Sequence, residues 1–262
     1  MKKILLGMAG LMALGIAAPA SAADLAARPY AKAAPPMMAA SYDWSGLYLG
    51  LNGGGASSRE CYTLTSVAGV ALSPTASEGC HNATGGLAGG QIGYRLQSGG
   101  WVFGVEAQGD WARLRGSNPS LTAGIIPYTN QTRIDALGLF TGQVGYAWNN
   151  VLLYVKGGAA VTDNQYSSFF TAAGVQFNNA GDTRWGGTVG TGVEVSFAPN
   201  WSVGVEYDHL FMGNPNVTFP ATTLAFPPFT GAVTRSDNIG QGVDMGTVRV
   251  NYRFGGPVIA KY

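Results

Sequence analysis

The residue types that most often carry chemistry are scarce in this chain, which contains two cysteines and two histidines. Cys61 and Cys80 fall in the same polar stretch, with His81 directly after the second cysteine. A metal site would need both thiolates, His81 and a further ligand, but the close Cys-x-x-Cys spacing of common zinc sites is absent. In a chain exported to an oxidising compartment a disulfide is favoured. We therefore predict a Cys61–Cys80 bridge and no metal, with the metal site as the alternative.

Other arrangements that could support catalysis are weak. His209 follows Asp208 directly, and neighbouring residues of a strand point to opposite faces, so the two side chains cannot form a Ser-His-Asp relay. The stretch Gly85-Gly86-Leu87-Ala88-Gly89-Gly90 lacks the Lys-Ser/Thr ending of a phosphate-binding loop. The sequence predicts no enzyme and no cofactor. A lipid-modifying enzyme that uses His209 near the outer rim of a barrel stays as a minor alternative.

The N-terminus has the order of a secretory signal peptide. Lys2 and Lys3 precede an apolar run over 4–18, and the small residues Ala20-Ser21-Ala22 follow. The run is shorter than the ~20 residues that a membrane-spanning helix needs. We predict a signal peptide at 1–22, cleaved after Ala22, followed by a flexible Ala/Pro-rich periplasmic leader at 23–41.

Composition limits the class of protein. The chain contains 40 glycines, only 11% of its residues are charged, and 15 basic residues face 14 acidic ones. Removal of Lys2 and Lys3 leaves 13 basic and 14 acidic residues, so the mature chain is nearly neutral and no nucleic-acid partner is expected. No long apolar segment follows the signal, so helical membrane spans are not predicted there.

From Tyr42 onward, segments of alternating polarity are separated by connections that are short and long in turn. We predict eight strands, at 44–55, 83–96, 101–113, 133–147, 151–162, 183–197, 201–212 and 242–254. The long connections are 56–82, 114–132, 163–182 and 213–241. This rhythm predicts an all-β fold, an eight-stranded antiparallel transmembrane β-barrel over 42–254 with short periplasmic turns, long extracellular loops and a periplasmic tail at 255–262. A soluble β-sandwich shares the alternation but gives no reason for the regular loop asymmetry.

Alternation also predicts which side chains line the lumen. In the third strand Trp101, Phe103 and Val105 share one parity, which we assign to lipid, while Glu106 and Asp110 share the other. The charged residues with inward parity along the eight strands are Arg95, Glu106, Asp110, Arg133, Asp135, Lys156, Arg184, Glu194, Glu206, Asp208, Arg249 and Arg253. An eight-stranded barrel is only wide enough for its own side chains, so these charges are expected to pair and fill it.

Several stretches resemble the small outer-membrane immunogenic proteins of alphaproteobacteria, often called porin-family proteins. The matching stretches are 42–55 (YDWSGLYLGLNGGG), 89–94 (GGQIGY), 144–148 (VGYAW), 153–160 (LYVKGGAA) and the C-terminal 248–262. That family is related in shape to the membrane domain of outer membrane protein A and to the opacity adhesins. The resemblance implies an eight-stranded barrel in the outer membrane of a Gram-negative bacterium, and implies far less about a molecular task.

The last strand carries Val250, Tyr252 and Phe254 on one face, a pattern that the barrel-assembly machinery is expected to read. The predicted partners are therefore outer-membrane lipid, this machinery, and envelope or host molecules that contact the long loops. The fourth loop is unusually apolar, with Val217, Phe219, Leu224, Phe226 and Phe229. We expect a structural and surface-interaction barrel, with a small solute pore as the first alternative and a lipid-modifying enzyme as the second.

Overall fold

The computed structural model describes residues 42–122, 127–220 and 233–255. The predicted signal peptide, the leader, and the tail after Gly255 lie outside the described residues. Within the described ranges no helix is long and apolar enough to cross a membrane. The strands are β1 (Gly46–Val67), β2 (Val70–Ser98), β3 (Trp101–Pro119), β4 (Tyr128–Trp148), β5 (Val151–Phe170), β6 (Gln176–Ala198), β7 (Trp201–Phe211), β8 (Asn216–Pro220) and β9 (Val233–Phe254).

The strands form one closed antiparallel ring, which confirms the predicted barrel. Each strand from β1 to β6 pairs with the next, β7 pairs with β9, and β9 returns to β1. The short β8 pairs with the extracellular half of β9, over 233–238, while β7 pairs with the other half. β7 and β8 thus share one position in the ring, so the barrel has eight strand positions. Closure leaves no free sheet edge, the condition for strands to cross lipid.

The predicted long loops are largely wrong, because most of their residues continue the strands. β1 and β2 stay paired as far as Val67 and Val70, and only Ala68 and Gly69, both with positive φ, form the turn. β2 has 29 residues, whereas about 9 to 11 suffice to cross a bilayer. The ladders extend outward because inward side chains continue to find partners there and pairing satisfies the backbone. The short turns at 99–100, 149–150 and 199–200 lie where the sequence predicts them.

The outer wall carries an apolar band with aromatic residues at both margins. At the periplasmic margin Trp201 contacts Tyr252 at 5.1 Å between ring centroids, and Trp101 contacts Tyr146 at 5.6 Å. At the other margin Trp111 is 80% exposed. Large exposed apolar side chains between such girdles are typical of strands that face lipid. The band therefore marks the membrane-spanning part of the strands.

The interior is not uniformly polar, which corrects the simple inside-polar expectation. An apolar layer crosses the lumen on the extracellular side of Glu106, Lys156, Glu206 and Arg249. Leu114, Ile134, Leu139, Leu210 and Val243 in this layer have no accessible surface. Further outward a second apolar cluster contains Tyr62, Tyr166, Val217, Phe219 and Ile239. The lumen is thus packed in alternating polar and apolar layers.

Candidate functional site

The centre of the lumen contains two cations shared by two glutamates. Lys156 on β5 donates to Glu206 at 2.6 Å and to Glu106 at 3.3 Å. Arg249 on β9 donates to Glu106 at 2.6 Å and also binds Glu206. Each glutamate therefore meets both cations, and four different strands are joined across the lumen. We call Glu106, Lys156, Glu206 and Arg249 the central network.

Two tyrosines hold the glutamates from the sides. Tyr48 donates its hydroxyl to Glu106 at 2.6 Å, and Tyr154 donates to Glu206 at 2.5 Å. Their rings lie over inward glycines of the neighbouring strands. A Cβ on Gly93 would approach the Tyr48 hydroxyl to 2.3 Å, and one on Gly192 would approach the Tyr154 hydroxyl to 2.5 Å. These glycines therefore leave the space that lets the tyrosine hydroxyls reach the network.

A second pair lies beside the central network, toward the periplasmic side. Arg95 binds Glu194 through both guanidinium nitrogens, at 2.8 and 3.1 Å. This is the two-point geometry in which an arginine and a carboxylate interact most strongly. The guanidinium also lies 4.3 Å from the ring centroid of Tyr48, so the pair is linked to the network through that residue.

Exposure distinguishes a filled lumen from a water-filled channel. The side chains of Glu106, Lys156, Glu206 and Arg249 are each at most 1% exposed. Groups that line an aqueous pore would be touched by water along its length. The section of the barrel that holds the central network is therefore occupied by protein side chains, as expected for eight strands.

The structure places ten of the twelve predicted lumen charges inside, and all ten are buried. They are Arg95, Glu106, Asp110, Lys156, Arg184, Glu194, Glu206, Asp208, Arg249 and Arg253. Three of them lie apart from the network. Asp110 accepts from Gln108, Arg184 pairs with Asp182 on its own strand, and Arg253 donates to backbone carbonyls at the periplasmic end.

The inward assignment of Arg133 and Asp135 is wrong. Both side chains lie on the outer wall and pair with each other at 2.5 Å. The cause is an irregularity in the β4–β5 pairing between Ile134 and Ala136, which inserts one residue and reverses the alternation beyond it. Ile134 consequently faces the lumen, although the alternation predicts that its side chain faces lipid.

A buried polar cluster near the extracellular end was missed from the sequence. Arg235 on β9 donates to both oxygens of Glu78, at 2.9 and 3.0 Å, and to Asn130 at 2.8 Å and Ser168 at 2.9 Å. All four residues fall in the stretches 56–82, 114–132, 163–182 and 213–241, which the sequence predicts as long connections without inward and outward faces. The alternation of Arg235, Asp237, Ile239 and Gln241 is the signal that could have revealed it.

Two acids outside the lipid-facing band have raised pKa values. Burial raises the pKa of Glu60 to about 7, although Ser58 donates to its carboxyl at 2.6 Å. Burial likewise raises the pKa of Asp237 to about 7, against the opposing effect of Arg235. Nearby, His81 donates from Nδ1 to Asn118 at 2.8 Å, and burial lowers its pKa. Burial therefore favours the neutral form of all three groups.

The two cysteines form a disulfide. Cys61 on β1 and Cys80 on β2 are direct register partners, and their Cα atoms are 4.1 Å apart. The sulfurs are consequently not available as thiolate ligands. The bridge joins two paired strands of the extracellular hairpin, in the stretch 56–82 that the sequence predicts as a long connection.

His209 lies on the outer wall and binds Asp244, with 2.6 Å between Nδ1 and the carboxylate. Ser57 is the register partner of Asp244 on the other side. The aspartate thus lies between the serine and the histidine, whereas a catalytic relay needs the histidine in the middle. This row of side chains does not have the order of a Ser-His-Asp site.

The predicted assembly residues lie together on the lipid-facing side of β9. Val250 and Phe254 are exposed, and the ring of Tyr252 contacts that of Phe254 at 5.0 Å. Because β9 pairs with β1 along its whole length, it is also the strand that closes the ring.

The family comparison agrees with this architecture. The family model described as outer membrane protein beta-barrel domain matches residues 8–254. The 31 kDa outer-membrane immunogenic proteins of Brucella melitensis and Brucella suis are each 27% identical over 224 residues, which cover 83% of this chain and 90% of theirs. Among solved structures, outer membrane protein OprG from Pseudomonas aeruginosa is similar, with a TM-score of 0.49, 13% identity and coverage of 80% of this chain and 97% of that one. The outer membrane protease OmpT from Escherichia coli has a TM-score of 0.48 at 9% identity, with coverage of 80% of this chain and 97% of that one.

Proposed function

The chain belongs to the outer membrane protein beta-barrel domain family, and we propose that it is a non-enzymatic structural and surface-interaction barrel whose lumen is closed to solutes. The lipid-facing band supports insertion in the outer membrane. The signal peptide at 1–22 is proposed to direct export. Val250, Tyr252 and Phe254 are proposed to serve recognition by the barrel-assembly machinery.

The observation that carries the closed lumen is the exposure of the central network. Lys156 and Glu206 are 1% and 0% exposed and bind each other at 2.6 Å. A permeating ion would have to break this pair and then cross the apolar layer around Leu139 and Leu210. Apolar constrictions exclude hydrated ions because no polar groups replace the lost water.

The surface role is supported by how far the paired strands continue beyond the lipid-facing band. At ~3.4 Å per residue the 29 residues of β2 span about 95 Å, far more than the ~25 Å apolar band of a barrel requires. The buried Glu78–Arg235 pair stiffens this extension from within. A rigid projecting surface suits contacts with other envelope or host molecules.

Planar-bilayer recording tests the closed lumen. Folded wild-type protein at neutral pH is expected to give no steady conductance steps, and vesicles that contain it should exclude small sugars. Insertion is verified by the shift in gel mobility between unheated and boiled samples and by protection from protease. Reproducible conductance of the verified monomer would contradict the proposal and favour the small-pore alternative.

A further inference from the structure

Three arginines face outward where the lipid-facing band of the outer wall ends. Arg113 and Arg115 lie two and four residues beyond Trp111 on β3, and Arg133 lies on β4. Their strand neighbours Leu114 and Ile134 are fully buried in the lumen, and the arginines are exposed. We call Arg113, Arg115 and Arg133 the arginine patch.

The arrangement of these arginines is unfavourable without a further partner. Arg115 and Arg133 are direct register partners, and like charges directly opposite each other destabilise a sheet. Asp135 pairs with Arg133. Neither Arg113 nor Arg115 forms an ion pair with any part of the chain that the structure describes. The patch therefore retains two uncompensated positive charges on an exposed wall.

An open groove lies directly below the patch. Its volume is about 660 Å³, and Ala88 and the Trp111 side chain line it on the outer wall, whereas the side chain of Leu87 faces the lumen. Arg113, Arg133 and Asp135 form its upper rim, which carries one net positive charge, and Arg115 lies beside it as the register partner of Arg133. Small outward residues on β2 create the groove. Ala88 is the register partner of Trp111, and Gly86 lies two residues further along the same face of β2. The groove thus combines an apolar floor in the lipid-facing band with a cationic rim beyond it.

We propose that this groove binds a phosphorylated acyl glycolipid of the outer leaflet. A phosphate on its sugar headgroup would lie between the guanidinium groups, whose planar donors match phosphate oxygens at two points. An acyl chain would lie along Trp111 and Ala88. The charge is complementary, and the anion relieves the opposition of Arg115 and Arg133. This inference goes beyond the proposed function and does not depend on whether the lumen conducts.

Binding is measured by native mass spectrometry of the folded full-length barrel in detergent. The probes are bisphosphorylated hexa-acyl lipid A, the same lipid after removal of both phosphates, phosphatidylglycerol and inorganic phosphate. Wild type is expected to bind bisphosphorylated lipid A at least tenfold more tightly than the dephosphorylated form or phosphatidylglycerol. Arg113→Gln with Arg115→Gln is expected to abolish this preference, while the double lysine variant retains part of it.

Further variants separate the parts of the site. Ala88→Leu fills the floor of the groove and is expected to weaken binding of both forms of lipid A, without changing any charge. Asn214→Asp with Thr218→Glu changes net charge by the same two units on β8 and in the connection before it, and is expected to leave binding unchanged. Folding of every variant is checked by gel mobility. Equal binding by the double glutamine variant would overturn the proposal, as would equal binding of dephosphorylated lipid A, or tight binding of inorganic phosphate alone.

Discussion

Lys156 Nζ lies 2.6 Å from Glu206 Oε1, and the same nitrogen lies 3.4 Å from Asp208 on the same strand as Glu206. One cation thus serves two carboxylates of β7 as well as Glu106 of β3. The three acids are inward-facing and buried. Their ionised forms are compatible with the interior only while cations stay beside them.

Lys156→Met should therefore destabilise the barrel strongly. The variant keeps the volume of the side chain but leaves Asp208 without the only cation that binds it in the described residues. Loss of one partner from a buried pair typically costs about 3 to 5 kcal/mol. Heat-induced loss of the folded gel band and urea unfolding in detergent measure the change.

Arg133→Gln is the matched control for the lysine variant, because Arg133 also pairs with a carboxylate but on the exposed wall. It should cost at most about 1 kcal/mol. Equal losses for the two variants would contradict the distinction between lumen and wall.

Site-directed labelling tests the outward position of Arg133 directly. Arg133→Cys should react with a membrane-impermeant maleimide on intact cells, whereas Thr132→Cys should not, because Thr132 has no accessible surface. The two positions are adjacent on β4, so they lie at the same height and differ only in the face of the strand that carries the side chain. Labelling at Thr132→Cys without labelling at Arg133→Cys would restore the original parity.

The positions of Arg133 and Asp135 also show which part of the lumen could not be predicted from the sequence. Alternation from Phe103 to Asp110 is unbroken, so the inward position of Glu106 follows from period two alone. The inserted residue between Ile134 and Ala136 leaves no mark in composition, so Arg133 and Asp135 could not be placed. Which inward charges pair across the lumen also depends on the stagger between distant strands, which one sequence does not contain.

The sequence did not predict the strand pairing of the extracellular extension, and the reason is different. Residues near Glu78 and Arg235 are polar, and polar alternation without an apolar face is difficult to distinguish from a loop. In the structure the extension is a tube with its own interior, so its inward-facing residues can be identified by their burial. A polar residue can then face inward on both sides of an apolar layer, as Glu60 and Glu106 do.

Replacement of Glu60 should change how stability depends on pH. The folded chain holds the proton on Glu60 up to about pH 7, whereas the unfolded chain releases it near the ordinary value of 4.5. A raised pKa in the folded state means that stability is present below pH 4.5 and declines as pH rises to about 7. Glu60→Gln should match wild type at pH 4 and be more stable at pH 8, by on the order of 2 to 3 kcal/mol.

The unfolding midpoint across pH 4 to 8 in the same detergent measures this difference. Arg59→Gln is the control, since it replaces an exposed charged neighbour on β1 and leaves the buried carboxyl of Glu60 in place. A constant offset between wild type and Glu60→Gln at every pH would show that the carboxyl does not titrate as the structure indicates.

Removal of the disulfide should loosen the extracellular hairpin but leave the barrel able to assemble. Cys61 and Cys80 are 19 residues apart, and closure of a loop of this length is worth about 3 kcal/mol in the chain-entropy model. β1 and β2 remain paired through Leu47 and Tyr94 in the membrane-spanning part. Cys61→Ser with Cys80→Ser should still show the folded gel shift, while protease should cut faster between 61 and 80. Reduced wild type should give the same pattern as the variant, and unchanged resistance in both would argue against a stabilising clamp.

The lumen contains several seals in series, so removal of one or two of them should not open it. Arg249→Ala leaves a cavity in the central network that water can enter, but the layer with Leu139 and Leu210 still blocks the path. Leu139→Ala with Leu210→Ala thins that layer and leaves the ion pairs intact. We expect no conductance from either variant or from the triple variant, because the outer apolar cluster with Tyr62, Tyr166 and Phe219 still blocks the path. Leu153→Ala, on the lipid-facing wall, controls for simple loss of an apolar side chain.

All variants are compared as folded, inserted monomers, since each buried leucine truncation costs about 2 to 5 kcal/mol. Steady conductance from Arg249→Ala alone would mean that the apolar layer does not seal the barrel.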